Sequence, residues 1–152
     1  MFWRNILMEL QTKVTDIACL PNRANPTDAG LDLRSTIHYN LVAGETKLFD
    51  TGVAFKIPEG FVGLVFARSG MGKHNVSPAN CVGVIDSSYR GNIKINLCNY
   101  SDTRYIIERY DRIGQIVIMP IALPTLELVN MSDADWLDTE RGADGFGSTG
   151  TK

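Results

Sequence analysis

The chain has 152 residues, 44% of them hydrophobic and 21% charged, with a formal net charge of −2. That is enough chain for one compact domain and too little for two ordinary ones. The mild acidity excludes the basic footprint of a protein that follows a nucleic-acid backbone, and no apolar run approaches the ~20 residues of a membrane span.

In chain order, residues 1–7 are too short for a signal peptide, and no small-residue cleavage site follows. They read as a dispensable extension with Met8 as an alternative start, which leaves 8–140 as the folded domain. Asp32 falls between Leu31 and Leu33 in a strand-like run, where a charge needs a partner or a role. Residues 47–49 and 53–57 are strand-type runs flanking Asp50-Thr51-Gly52, which has turn composition. Pro58-Glu59-Gly60 marks a second turn, and Phe61–Phe66 follows as a buried strand. A helix of a turn or two begins near Ser69, and Gly70 and Gly72 argue against anything longer. Ile93, Ile95 and Leu97 alternate with Lys94 and Asn96 at the period of a half-buried strand. Residues 113–119 are almost all apolar and Pro120 ends them. Residues 126–129 have the composition of another short strand. Many short strands broken by Gly, Pro and Asn predict an all-β fold, a jelly-roll-like sandwich or barrel with one short helix. The tail, residues 141–152, is rich in Gly and has Phe146 as its only large apolar side chain, so it is expected to be mobile without ligand. The cysteines, Cys19, Cys81 and Cys98, have neither zinc nor redox spacing and read as buried free thiols of a reducing, cytoplasmic compartment.

Five segments carry candidate chemistry. Asp28 and Asp32, on either side of Gly30, make a turn and a strand start unless Asp32 serves a ligand. In Ala67-Arg68-Ser69-Gly70 a strand ends and a short helix opens. Arg68 offers an anion a bidentate fork and Ser69 a hydroxyl; the competing reading is an ordinary N-cap beside an exposed Arg. In Gly83-Val84-Ile85-Asp86-Ser87-Ser88-Tyr89-Arg90-Gly91, Asp86 could accept a proton from water, with Tyr89 as a flat face nearby. The competing reading is a hairpin whose turn Asp86 starts. Gln115, a lone amide among apolar strand residues, either faces solvent or holds a ligand. In Arg141-Gly142-Ala143-Asp144-Gly145-Phe146-Gly147-Ser148-Thr149-Gly150 the backbone and hydroxyls could wrap a phosphate chain, with Arg141 supplying charge. This is not a Walker A loop, because Gly150 is followed by Thr151 and Lys152 in the wrong order.

Together and in this order, the five segments resemble the five motifs of the trimeric dUTPase family. The family's third pattern, Gly-x-Ile-Asp-x-x-Tyr-Arg-Gly, is met in full by residues 83–91. Its tail pattern, Arg-Gly-x-x-Gly-Phe-Gly-Ser-Thr-Gly, is met in full by residues 141–150. One departure is Ala67, where the second motif usually carries proline. The resemblance implies a jelly-roll subunit of a homotrimer with active sites at the subunit boundaries. It also implies hydrolysis of dUTP to dUMP and pyrophosphate by attack of water on the α-phosphorus, which keeps uracil out of DNA. Asp86 is then the general base, and Arg68, Ser69, Gly70, Gln115, Arg141, Gly147, Ser148 and Thr149 hold the phosphates. Asn80, Gly83, Val84, Ile85, Tyr89 and Phe146 take uracil and deoxyribose. Mg²⁺ is implied, held mainly by phosphates and water, with Asp32 fixing its waters or a nearby Arg. Residues 141–152 become a lid. The related dCTP deaminases carry a second Ser where this chain has Gly70, and a purely regulatory module would be expected to lose Asp86 or the tail.

Overall fold

The computed structural model describes residues 9–129, 132, 136–140 and 142–143. Arg141, Phe146, Gly147, Ser148 and Thr149 lie outside the described residues, as does the extension expected over residues 1–7. The chain divides into two units, Met1–Ala122 and Leu123–Lys152.

Strands dominate the first unit: β1 (Gln11–Val14), β2 (Leu31–Arg34), β3 (Tyr39–Leu41), β4 (Thr46–Asp50), β5 (Val53–Lys56), β6 (Phe61–Phe66), β7 (Val76–Pro78), β8 (Gly83–Ile85), β9 (Lys94–Asn99), β10 (Tyr105–Ile107) and β11 (Arg112–Pro120). Among the described residues, one four-residue helix, α1 (Ser69–Gly72), and a 3₁₀ turn at Ile17–Cys19 are the helical elements of this unit. The fold is mostly β with little helix, as the breaker-rich sequence predicts. A four-stranded sheet runs β2-β11-β6-β8 and a three-stranded one β4-β9-β7; β1 pairs with β5 and β3 with β10. Every pairing is antiparallel.

The apolar alternation explains the packing. Ile93, Ile95 and Leu97 are 0%, 2% and 0% exposed, while Lys94 between them faces water. They join Leu33, Phe49, Val65 and Ile116 in one core, and each fully buried side chain of this size contributes roughly 1.5–3 kcal/mol. Asp50-Thr51-Gly52 is a turn, but one between sheets, since β4 pairs with β9 and β5 with β1. Gly52 has φ +68°, and a Cβ there would lie 2.5 Å from Thr15 Oγ1, so only glycine fits this corner.

Two expectations are corrected and one competing reading is excluded. Residues 126–129 form no strand; Leu126 and Leu128 are 95% and 101% exposed, and no sheet partner lies beside them among the described residues. The segment around Asp86 is not a hairpin, because β8 pairs with β6, whereas β7 and β9 belong to the other sheet. Asp86 therefore begins a crossing between sheets. Of the three thiols, Cys19 and Cys98 are buried, but Cys81 is exposed. It occupies the turn before β8 with φ 60°, clear of the core. Among the described residues, no helix is long and apolar enough to cross a membrane.

Candidate active site

β11 lies between β2 and β6, so Gln115 has Asp32 on one side and Phe66 on the other. Arg68 follows two residues after β6 ends. Strand register thus gathers Asp32, Gln115, Arg68 and Ser69, residues from three separate segments, at one end of the sheet. They line a cleft of about 260 Å³ together with Asp28 and Gly30.

Each side chain in the cleft is held. Gln115 Nε2 donates to the Ala67 carbonyl at 2.9 Å, which fixes the amide and leaves Oε1 on its other side. A Cβ on Gly30 would meet that Oε1 at 2.3 Å, so a side chain there would have to push aside the amide that the Ala67 carbonyl holds. Asp32 is 8% exposed. Its Oδ1 lies 2.8 Å from Arg68 Nε, and Arg112 Nη1 donates to its Oδ2 at 3.3 Å. Asp28 accepts from the Asn25 N–H at 2.9 Å and closes its own turn, which is the turn reading of that residue. Arg68 is the extended residue that precedes α1, and its side chain makes no capping bond. Ser69 is the first helical residue, not the cap, and its exposed hydroxyl has no hydrogen-bond partner among the described residues. Gly70 follows it, exposed, with open space around its Cα.

The third segment lies elsewhere. Ile85 pairs with Gly63 and Gly83 with Val65, so continuing the register puts Asp86 beside Val62. From there to Arg68 is six residues along the chain, on the order of 20 Å at about 3.3 Å per residue. Within one chain, the exposed Asp86 is not in the cleft. Its loop is nonetheless braced. The Tyr89 N–H donates to the Asp86 carbonyl at 3.1 Å, Tyr89 Oη donates to the Asn92 carbonyl at 2.9 Å, and Arg90 Nη1 donates to the Ser87 carbonyl at 2.6 Å. Asn80 is exposed in the tight turn before β8, where the Val82 N–H donates to its carbonyl at 2.6 Å. β8 is the last strand of its sheet, so one backbone edge of Gly83, Val84 and Ile85 is unpaired among the described residues. An open edge offers alternating N–H and C=O groups to whatever lies beside it. Gly30 lines the cleft, and Arg112 braces its buried carboxylate from the adjoining cleft; sequence reasoning missed both. The signal for Arg112 was Asp32 itself, a strand carboxylate in need of a cation.

Guanidinium and hydroxyl donors at a sheet end, with an open strand edge and a braced carboxylate loop, give this mostly β protein groups of the kind that hold a small anion. A family model described as dUTPase matches residues 16–150. The chain is 40% identical over 151 residues to the deoxyuridine 5'-triphosphate nucleotidohydrolase of Escherichia phage T5, covering 94% of this chain and 99% of that one. It is 43% identical over 134 residues to the protein of the same name from Mycolicibacterium gilvum, covering 86% and 87%. Among solved structures, the Staphylococcus bacteriophage 80alpha dUTPase with dUPNHPP matches with a TM-score of 0.80 at 33% identity, over 93% of this chain and 98% of that one. A point mutant of the phage phi11 dUTPase, described as revealing the coordination of a structural Mg(II) ion, matches with a TM-score of 0.74 at 30% identity, over 83% and 99%. The chain belongs to the dUTPase family.

Proposed function

We propose that this chain is a dUTP diphosphatase that hydrolyses dUTP to dUMP and pyrophosphate in the cytoplasm, working as a homotrimer of jelly-roll subunits. One observation carries the reading: phosphate-type donors meet in one cleft while the candidate base stands about 20 Å away along β6. A second copy supplies the missing half, so that Asp86 of one subunit faces Arg68, Ser69 and Gln115 of another.

In that arrangement Asp86 orients a water and accepts its proton as the oxygen bonds to the α-phosphorus. The bond from that phosphorus to the α–β bridging oxygen breaks, and pyrophosphate leaves. Arg68, Ser69, the Gly70 N–H and Gln115 stabilise the charge that grows on the leaving group. The open edge of β8 reads uracil through Gly83, Val84 and Ile85, with Asn80 beside it. Cytosine reverses the donor and acceptor order at that edge and leaves buried groups unpaired. Tyr89 lies against the deoxyribose where a 2′-hydroxyl would clash. Residues 141–152 close as a lid: Phe146 stacks on the base, worth about 1–3 kcal/mol, while Arg141, Gly147, Ser148 and Thr149 grip the γ end. Residues 1–7 are dispensable.

Mg²⁺ suits this donor set in one way. The buried carboxylate of the cleft has each oxygen beside a guanidinium, so it is already engaged. That fits an ion carried by the triphosphate and its waters, not one caged by protein. When bound, the ion shields phosphate charge; Asp32 serves it indirectly, by fixing Arg68.

The test is incubation with dUTP, dCTP, dTTP and UTP plus Mg²⁺, with pyrophosphate measured. Only dUTP is expected to turn over well. Asp86→Asn should still bind dUTP but hydrolyse it at least about 100-fold more slowly. Ammonia release from dCTP, or an unimpaired Asp86→Asn, refutes the reading.

A further inference from the structure

Arg112 reaches the buried carboxylate of Asp32 through an irregularity in β11. The register slips between Arg112 and Gly114, so that Arg112 stands opposite Arg34. Such a bulge re-aims a side chain. Here it leaves Ile113 in the core, 1% exposed, and puts Arg112 on the face that carries Asp32 and Gln115. Two cations directly opposite one another in a sheet repel. Arg34 is tied away to the Tyr110 carbonyl at 3.0 Å and to Asn22 Oδ1 at 3.1 Å. Arg112 has one acidic partner among the described residues, Oδ2 of Asp32.

The geometry points to Arg112 as a positioning residue for phosphate binding. It restrains Asp32 from capturing Arg68. This rests on the reading of Arg68 as a phosphate ligand. Asp32 retains 11% of its side-chain exposure and Arg68 26%, so both sit in a partly dehydrated setting where an unpaired carboxylate oxygen is costly. With Arg112 in place, each carboxylate oxygen has its own guanidinium; Arg68 meets Oδ1 at Nε, and its two Nη groups make no hydrogen bond among the described residues, so they can take an incoming phosphate. Without Arg112, the free Oδ2 turns to the nearest cation, which is Arg68. A planar guanidinium and a carboxylate then close into two parallel contacts. One Nη is lost to the substrate and the fork is turned from it.

Arg112 can be removed without opening a sealed void. Its side chain is 43% exposed, and it lines a second cleft of about 280 Å³ that shares Arg68 with the first. The Arg112→Ala chain is therefore expected to fold.

The experiment compares wild type, Arg112→Ala, Arg112→Lys and the double variant Arg112→Ala/Asp32→Asn, all as full chains. Each is titrated calorimetrically with inorganic tripolyphosphate, assayed for dUTP hydrolysis, and melted. Arg112→Ala should weaken tripolyphosphate binding about tenfold and raise KM for dUTP more than it lowers kcat. Arg112→Lys should recover most of the loss. The double variant should bind better than Arg112→Ala, because an uncharged amide no longer captures Arg68. A merely structural Arg112 gives the opposite order, with the double variant equal to or worse than the single one and a falling Tm; that order overturns the proposal. So does unchanged tripolyphosphate affinity in Arg112→Ala, or in an Arg68→Ala control. A wild type that hydrolyses no dUTP, yet shows the tripolyphosphate pattern, rejects the dUTP reading and supports this one.

Discussion

Tyr110 is a non-glycine residue with φ 72°, a conformation that costs on the order of 1–2 kcal/mol. Its surroundings hold it there. Its N–H donates to the Ser35 carbonyl at 2.8 Å, its carbonyl accepts from Arg34 at 3.0 Å, and its hydroxyl donates to Asp16. This anchor sits two residues before Arg112 and sets where β11 begins. The Tyr110 hydroxyl, followed by the Ala18 N–H, holds the Asp16 carboxyl below its ordinary 3.8. A carboxyl lowered on folding adds stability that is present above pH 3.8 and is lost as pH falls through the folded value. Tyr110→Phe is therefore expected to raise the Asp16 pKa towards 3.8 and to flatten the fall in Tm on acidification below that pH. Carbon-detected NMR titration of Asp16 checks this, and an unmoved midpoint refutes it. At this scale the sequence was partly legible. Asp32 announced its need for a cation by standing between two leucines. Gly30 announced nothing, because its requirement comes from Gln115, a residue distant in the chain and adjacent only through β-sheet register.

At the scale of elements, β9 was readable because three apolar side chains alternate with polar ones over its length. β8 was not. It has three residues, and nothing local distinguishes pairing with β6 from folding back as a hairpin. The open edge proposed to read uracil exists only because β8 chose β6 and became the outermost strand. The helix at Ser69 was foreseen, and its glycines foretold that it would be short, although the role of Ser69 differs from capping. The departure at Ala67 now has a structural answer. Its carbonyl accepts from Gln115, while its N–H makes no hydrogen bond among the described residues. Proline would keep the carbonyl and lose only a free donor, and Phe66 before it is already extended, as a residue preceding proline prefers. Ala67→Pro is expected to keep full activity and to gain about 0.4–1 kcal/mol by stiffening the unfolded chain. A denaturant melt with parallel kinetics measures both; a loss above about 1 kcal/mol would show that the backbone at Ala67 cannot accept the ring.

For the whole molecule, two features of the single chain ask for company. Leu123 is 70% exposed, and Leu126 and Leu128, in the stretch of strand composition that follows, are 95% and 101% exposed. Clustered apolar exposure of this kind marks a contact surface more often than a free one. The second feature is the separation of Asp86 from the phosphate cleft, which no side-chain rotation spans. If active sites are shared between subunits, two defects in different chains can be separated. Asp86→Asn spoils the base that a subunit gives to its neighbour, and Arg68→Ala spoils the cleft that it keeps. Each variant alone should be nearly inactive. In trimers formed by co-expression, some boundaries pair an intact Asp86 from one chain with an intact Arg68 from the other, so activity should return to a substantial fraction of wild type. The assay is dUTP turnover on mixed trimers isolated with two different affinity tags, against each variant alone and against the two pure trimers mixed after assembly. If every site were built within one chain, no mixed trimer could hold a complete one. Co-expressed and separately assembled mixtures would then be equally inactive, and the shared-site trimer would have to be abandoned.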